Sequence, residues 1–188
     1  MRYTTAQLPE LVSEAQHLSS LTMSTFGQLS YEQLNWKSSP ERWSVGQCFD
    51  HLVASGASFL PIIDDVATGR KTKRALESVP ILPKLFGKLL IKSLDPATTR
   101  KMKAPKQIEP ASSAVSTSIL QSFVQQQSEL VSKMNATANL DVERLIITSP
   151  VASFVTYSLL DAYRIIVVHE ERHFQQAQRV TTEAAFPK

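Results

Sequence analysis

The chain has 188 residues and a formal net charge of +3, and its 43% hydrophobic and 20% charged residues are ordinary for a soluble globular domain. A single cysteine, Cys48, excludes an intramolecular disulfide framework and fits a reducing cytoplasm. No stretch reaches the roughly 18 consecutive apolar residues of a membrane span, and the N-terminus lacks the apolar core of a secretory leader. These features predict one cytoplasmic domain over residues 1–188, without a transmembrane segment.

The N-terminal part of the sequence predicts a long helix followed by a polar connection. Apolar residues at an approximate three-four spacing predict the first helix over about residues 5–29. Pro9 is tolerated only in a first turn, so the helix is expected to begin close to it. His17 lies beside the apolar stripe, and we expect it at the surface or at the edge of the core. Residues 31–43 are interpreted as the connection.

A capping box predicts where the second long helix begins. Ser44 and Gln47 have the spacing at which a serine N-cap and a glutamine three residues later satisfy each other's backbone N–H groups. The helix is expected to end at about Ala67, and Pro61 is expected to bend it or to break it locally. His51 falls on the apolar side of this helix or at the edge of that side.

A basic segment follows, over residues 70–106, with eleven lysines and arginines against Glu77 and Asp95. Frequent prolines preclude one long helix between residues 70 and 110, but a short helix around 82–93 is predicted. The stretch 96–106 is expected to be a loop that covers one end of the protein.

Three interpretations of this basic segment remain open. Charge runs usually serve solubility, which favours a solvated connecting segment. Residues 84–92 are both apolar and basic, which indicates contact with an anionic substrate or a membrane surface. Nucleic acid is the least favoured partner, because the segment has one aromatic residue, Phe86, and no recognised binding motif.

The C-terminal part predicts two more long helices. The third is expected over about 112–136, and residues 147–157 are interpreted as a long loop or a short extra element. The fourth is expected to begin near Ser158, a serine cap, and to continue to about Thr181. Four long helices predict an all-α fold, an antiparallel four-helix bundle in which sites form between facing helices.

Three of the four histidines form the most informative pattern in the chain. His169 and His173 are four residues apart, so they share one face of a helix, and both prolong its apolar stripe. A third imidazole from a facing helix, such as His51, would complete three nitrogen ligands around a divalent metal with open positions for water or substrate. The alternative is a chance pair and a hydrogen-bonded histidine at the core boundary.

The neighbours of these histidines are weaker candidates. Cys48 lies one turn before His51, but a buried cysteine is usually a small inert hydrophobic residue. Three acidic residues flank the histidines: Asp50, Glu170 and Glu171. They are candidate general bases, although adjacent helical positions point about 100° apart, which favours solvated surface acids. Arg172 is interpreted either as an anion ligand or as a brace for a neighbouring helix, and Tyr163 needs a hydroxyl partner if it is buried.

Three motifs, taken in order, resemble one known family. They are the run 43–52, which is WSVGQCFDHL, the run 169–176, which is HEERHFQQ, and the loop 102–106 followed by Pro110. The first resembles the tryptophan-capped second helix of the DinB/YfiT-like superfamily, and the second resembles its terminal H-x3-H helix. This resemblance covers most of the chain. It implies an up-down-down-up four-helix bundle, often dimeric, with a long irregular connection between the second and third helices.

The same resemblance implies a divalent metal site in which His51, His169 and His173 are the ligands. Family members include metal-dependent hydrolases and S-transferases that use thiols such as bacillithiol, mycothiol or glutathione. The implied cofactor is zinc or nickel, with iron or manganese as further candidates. The implied partners are a low-molecular-weight thiol or another small anionic substrate and a second copy of the chain.

Whether the chain is an enzyme stays open at the level of sequence. No catalytic residue is assigned beyond the candidate ligands. A non-enzymatic ligand-binding or stress-response module, with a structural or vestigial metal site, is the main alternative. A third interpretation treats residues 82–92 as a helix that binds a membrane surface or a partner.

Overall fold

Helices dominate a computed structural model of the protein, which describes residues 2–79, 81–98, 104–112 and 114–188. Its long helices are α1 (Leu8–Phe26), α3 (Val45–Ala67), α5 (Ile119–Ala136) and α6 (Leu159–Thr181), and its shorter elements are α2 (Tyr31–Asn35), α4 (Leu82–Leu94), β1 (Ile146–Thr148) and β2 (Thr156–Ser158). Helix accounts for 62% of the structure, which confirms the all-α prediction. The first two residues of the motif at 102–106, and the centre of the predicted loop over 96–106, lie outside the described residues.

Side-chain caps set the beginnings of the two helices that carry the histidines. The Gln47 backbone N–H donates to Ser44 Oγ at 3.1 Å, and the Ser44 N–H donates to Gln47 Oε1 at 3.2 Å. Ser158 Oγ likewise accepts from the backbone N–H of Asp161 at 3.0 Å. Both predicted starts are therefore confirmed, because the orphan donors of each first turn find an oxygen there. The helix α3 continues through Pro61 to Ala67, so the structure does not show a local break at the proline.

The four long helices enclose the core, with α1 and α3 each packed against both α5 and α6. Pairs of contacting residues give their relative directions: Ala6 with Arg164, Phe26 with Phe174, Phe49 with Phe123, and Asp64 with Lys133. In each pair of helices, the N-terminal part of one helix contacts the N-terminal part of the other, and the C-terminal part of one contacts the C-terminal part of the other. Therefore α1 runs in the same direction as α6, and α3 runs in the same direction as α5.

Two segments differ from the sequence-based expectation. The connection over 31–43 contains the short helix α2, which Ser30 caps by accepting from the Gln33 backbone N–H. The third long helix begins at Ile119 and not near 112. Asn35 explains the delay, because its side chain accepts from the Val115 N–H at 2.7 Å and donates to the Val115 carbonyl at 2.9 Å. Both backbone groups of Val115 are thus engaged outside a helix.

The short extra element between the last two long helices is a β-hairpin. The strands β1 and β2 pair antiparallel, with Thr148 opposite Thr156. The buried Glu77 accepts from Thr148 Oγ1 at 2.9 Å and from Lys71 Nζ at 2.5 Å, which ties the start of the basic segment to the hairpin. The predicted short helix of this segment is confirmed as α4, which packs on α6 and β2.

The described residues contain no candidate transmembrane helix. None of the described helices combines the length and the apolar content that crossing a bilayer requires.

Candidate metal centre

The three histidines singled out in the sequence meet between α3 and α6. Their ring centroids are 4.8 Å apart for His51 and His169, and 4.6 Å apart for each of the other two pairs. One nitrogen from each ring lies within 4.8 Å of the others. His169 and His173 are one helical turn apart and lie on the same side of α6. The packing of α3 against α6 brings the ring of His51 into contact with both. In contrast, His17 is exposed on α1, in line with the sequence-based expectation.

A backbone hydrogen bond orients the ring of His51. Its Nδ1 contacts the carbonyl oxygen of Ile108, and a carbonyl only accepts, so Nδ1 carries the proton. The lone pair is therefore on Nε2, which lies 2.9 Å from Nε2 of His169. Two nitrogens bound to one tetrahedral zinc ion at about 2.0–2.1 Å would be about 3.3 Å apart. The observed spacing is within about 0.4 Å of this value. A backbone carbonyl is one of the usual hydrogen-bond partners of a histidine that binds a metal ion.

The electrostatic environment keeps all three imidazoles neutral. Burial, together with the neighbouring His51 and Arg172, lowers the pKa of His169 to about 3. Burial also lowers the pKa of His173 well below its ordinary value, with His169 adding to the effect. Burial lowers the pKa of His51, although the Ile108 carbonyl and Asp50 oppose it. Neutral imidazole is the form that binds metal ions, so the cluster is competent as a ligand set near neutral pH.

An unsatisfied nitrogen and an aromatic wall complete the cluster. Nδ1 of His173 is buried and makes no hydrogen bond of ordinary geometry to the described residues. Trp43, the residue before the Ser44 cap, stacks on His173 with ring centroids 5.5 Å apart, and lies 4.9 Å from the ring of His51. A buried polar atom without a partner is costly, and a bound ion or water would relieve that cost. The donor set therefore fits a divalent cation.

A cavity of about 960 Å³ opens beside the histidines. Its apolar lining includes Phe59, Leu90, Leu94, Tyr157, Ile165 and Ile166. Charged residues of both signs line it as well: Arg42, Arg172, Arg179, Glu41, Glu109 and Glu183. The volume lies in the range of small-molecule sites, and the mixed lining suits a substrate with an apolar part and a polar part.

Glu170 corrects one expectation drawn from the helix pattern. It is not a solvated surface acid, since only 5% of it is exposed, and it also lines the cavity. Gln127 on α5 donates to its Oε1 at 2.7 Å, while its Oε2 is buried without a hydrogen-bond partner in the described part of the chain. Burial raises the pKa of Glu170 to about 8, and the hydrogen bond from Gln127 opposes this shift. Near neutral pH this shift favours the protonated form of the Glu170 carboxyl group, which lies one residue from His169.

The remaining candidates fall outside the cluster or hold it in place. Cys48 is fully buried, and burial raises the pKa of its thiol to about 12, in agreement with an inert hydrophobic role. Arg172 donates to the carbonyls of Asp95 and Thr98, each at 3.2 Å, so it braces the end of α4. Tyr163 has the hydroxyl partner that its burial requires, Thr137 at 2.8 Å.

Two other acidic candidates also have structural partners. Asp50 accepts from the backbone N–H of Ala111 at 2.8 Å, so it holds the connection that carries Ile108. Glu171 accepts a hydrogen bond from the Tyr3 hydroxyl.

Sequence reasoning missed the roles of Ile108 and Gln127. Each contributes from a distant part of the chain, one through a backbone carbonyl and the other through a neutral amide. Neither type of group has a spacing pattern that marks it in advance. Trp43 carried a signal, since it precedes the cap of the helix that bears His51, but its stacking on His173 depends on the packing of α6.

Comparison with known proteins adds one finding. A family model described as the DinB superfamily matches residues 15–177, which include all three clustered histidines. No curated protein and no solved structure gave a significant match.

Proposed function

Since this chain belongs to the DinB superfamily, we propose that it is a metal-dependent enzyme in which His51, His169 and His173 hold a divalent ion. The observation that carries the proposal is the meeting of three neutral imidazoles beside a cavity of about 960 Å³. Structural zinc sites are closed by four protein ligands, whereas catalytic sites keep an open position. Among the described residues the ligand group contains three histidines and no thiolate or carboxylate, which favours the catalytic type over a structural site.

The residues around the cluster have distinct roles in this proposal. A bound ion would supply Lewis acidity that lowers the pKa of a water or thiol toward neutrality. The Ile108 carbonyl holds His51 in the tautomer whose Nε2 lone pair faces the site. Trp43 packs over two of the imidazoles and restricts their rotation. All-nitrogen ligation suits zinc or nickel, with iron or manganese as further candidates.

The substrate class follows from the cavity. We propose S-transfer from a low-molecular-weight thiol, or hydrolysis, as the reaction. Arg172 and Arg179 line the cavity and would attract a carboxylate of an anionic thiol, while the apolar walls would accept the electrophile and exclude water. A homodimer and a cytoplasmic location are part of the same proposal.

Metal content tests the ligand set directly. The full chain would be purified without chelator, as wild type, as the His169→Ala, His173→Ala double variant and as His17→Ala, and analysed by inductively coupled plasma mass spectrometry. His17 is an exposed histidine on α1 and serves as the matched control. We expect about one equivalent of metal in the wild type and the control, and its loss in the double variant. Equal metal in all three proteins would refute the site.

Activity tests the reaction separately. Bacillithiol, mycothiol and glutathione would each be supplied with a chromogenic electrophile, and esters and amides would be tested for hydrolysis, before and after metal removal. Turnover that disappears with the metal and returns on its addition supports the enzyme. A metal-loaded protein that turns over none of these compounds would count against the proposed reaction and favour a binding module.

A further inference from the structure

The outer side of α4 presents apolar and basic side chains together. Three apolar residues lie one turn apart and are 75%, 50% and 54% exposed: Ile81, Leu85 and Leu89. Three exposed lysines repeat at the same spacing beside them: Lys84, Lys88 and Lys92. We refer to these six residues as the basic apolar face. Positions four apart share one side of a helix, so the face is continuous along α4.

The opposite side of α4 is already satisfied by the core. Pro83, Gly87 and Ile91 are buried, and Phe86, Leu90 and Leu94 pack against the core cluster. A Cβ atom on Gly87 would lie 2.9 Å from Cγ of Asp161, so α4 approaches α6 closely at this point. One apolar side of α4 therefore packs against the core, and the leucines of the basic apolar face take no part in this packing.

We propose that the basic apolar face docks α4 in the plane of an anionic lipid surface. Its leucines would enter the interfacial region, and its lysines would lie among the phosphate and carboxylate groups of the lipids. The face carries three positive charges and no acidic residue, so its charge is complementary to such a surface. Snorkelling lets each lysine cover apolar surface with its alkyl chain while its ammonium group stays in the headgroup layer.

Charge and shape disfavour the other occupants of this face. A second copy paired through the same face would bring lysines against lysines without an acidic partner. Peptide recognition commonly uses a groove or a free sheet edge, whereas this face is the outer side of a single helix. The cavity lies on the other side of α4, where Leu90 and Leu94 line it. A planar anionic surface satisfies both the charge and the exposed leucines.

Vesicle cosedimentation of the full chain tests the proposal. Vesicles of phosphatidylcholine alone would be compared with vesicles that contain about 30% phosphatidylserine, at low and high salt. The test variant replaces Lys84, Lys88 and Lys92 by glutamine. Each lysine near an anionic surface contributes roughly five-fold in partitioning, so we expect a loss on the order of 100-fold.

A control with the same change in net charge separates the face from the overall charge of the protein. It replaces Lys106, Arg144 and Lys188, exposed residues outside α4, by glutamine. We expect this control to keep most of the binding. A Leu85→Gln, Leu89→Gln variant should bind anionic vesicles more weakly than the wild type. Its helix content, measured by circular dichroism, should stay unchanged.

Three results would overturn the proposal. The first is no binding of the wild type to anionic vesicles. The second is an equal loss in the two triple variants, which would show an effect of net charge alone. The third is a wild-type dimer, measured by light scattering, that the Leu85→Gln, Leu89→Gln variant splits, because the face would then be an interface between copies of the chain.

Discussion

Replacement of Glu77 by glutamine is expected to destabilise the protein, by an amount that depends on pH. The Glu77 side chain is 2% exposed, and its carboxylate accepts from Lys71 Nζ, from the Arg74 backbone N–H at 3.1 Å and from Thr148 Oγ1 at 2.9 Å. Loss of one partner from a buried ion pair costs about 3–5 kcal/mol. Lys71 is 17% exposed and keeps some water, and glutamine can still bond Thr148. We therefore expect a loss of about 2 kcal/mol at pH 7.

The sign of the pH dependence follows from the direction of the pKa shift. Burial by itself would raise the pKa of Glu77, but Lys71, the Arg74 N–H and Thr148 together lower it below its ordinary value. A carboxyl group whose pKa is lowered by folding stabilises the protein above its unfolded pKa of about 4.3. That stabilisation is lost as the pH falls through the folded pKa. The difference between wild type and Glu77→Gln should therefore shrink below about pH 4.

Urea denaturation followed by circular dichroism at several pH values between 7 and 3.5 measures this difference. The matched control is Glu129→Gln, because Glu129 is 54% exposed and lies 3.5 Å from Lys133. Exposed pairs contribute about 0–1 kcal/mol, so the control should stay close to wild type at every pH. A Glu77→Gln protein as stable as the control at pH 7, or a difference that does not change with pH, would show that the Glu77 carboxylate does not stabilise the fold through its buried ion pair.

Two further substitutions test the packing around the site, and metal addition tests the site itself. Gly87→Ala should lower stability by up to about 2 kcal/mol in thermal unfolding, because the clash of the new methyl group with Asp161 outweighs a gain of about 1 kcal/mol in helix propensity. A more stable variant would contradict the close approach of α4 to α6. Tyr163→Phe should cost about 1 kcal/mol in urea unfolding, since the hydroxyl bonded to Thr137 is lost, and no change would show that this bond contributes nothing. Zinc or nickel at about 100 times its Kd should stabilise the wild type by about 2.7 kcal/mol but not the His169→Ala, His173→Ala variant; equal stabilisation of both would place the ion elsewhere.

Local signals in the sequence predicted the parts of the fold that depend on neighbouring residues. The Ser44 and Ser158 caps gave the starts of α3 and α6, because the cap and the donor it satisfies are only three residues apart. The start of α5 was misplaced because Asn35, which holds Val115 in a non-helical conformation, lies 80 residues away in the chain. The hairpin strands have three residues each, too few for an alternating pattern to appear.

The candidate site could be predicted only in part, because a sequence pattern shows what depends on residues close together in the chain. The spacing of His169 and His173 is local, so their common face was visible in the sequence. The environment of Glu170 was not, because it depends on Gln127 from another helix, 43 residues away. A helix pattern gives the direction of a side chain relative to its own helix. It does not tell which neighbouring helix covers that side chain, and therefore the buried carboxyl was expected in solvent.

The separation of His51 from His169 has a consequence for how the protein would acquire its ion. The two residues are 118 positions apart, on α3 and α6. A growing chain on the ribosome thus offers one of these imidazoles long before the other two exist. No three-nitrogen site can form until α6 has been synthesised and has docked, so loading would follow folding and would not guide its early steps. An ion that then joins α3 to α6 would hold two distant parts of the chain together and should slow their separation when the protein unfolds.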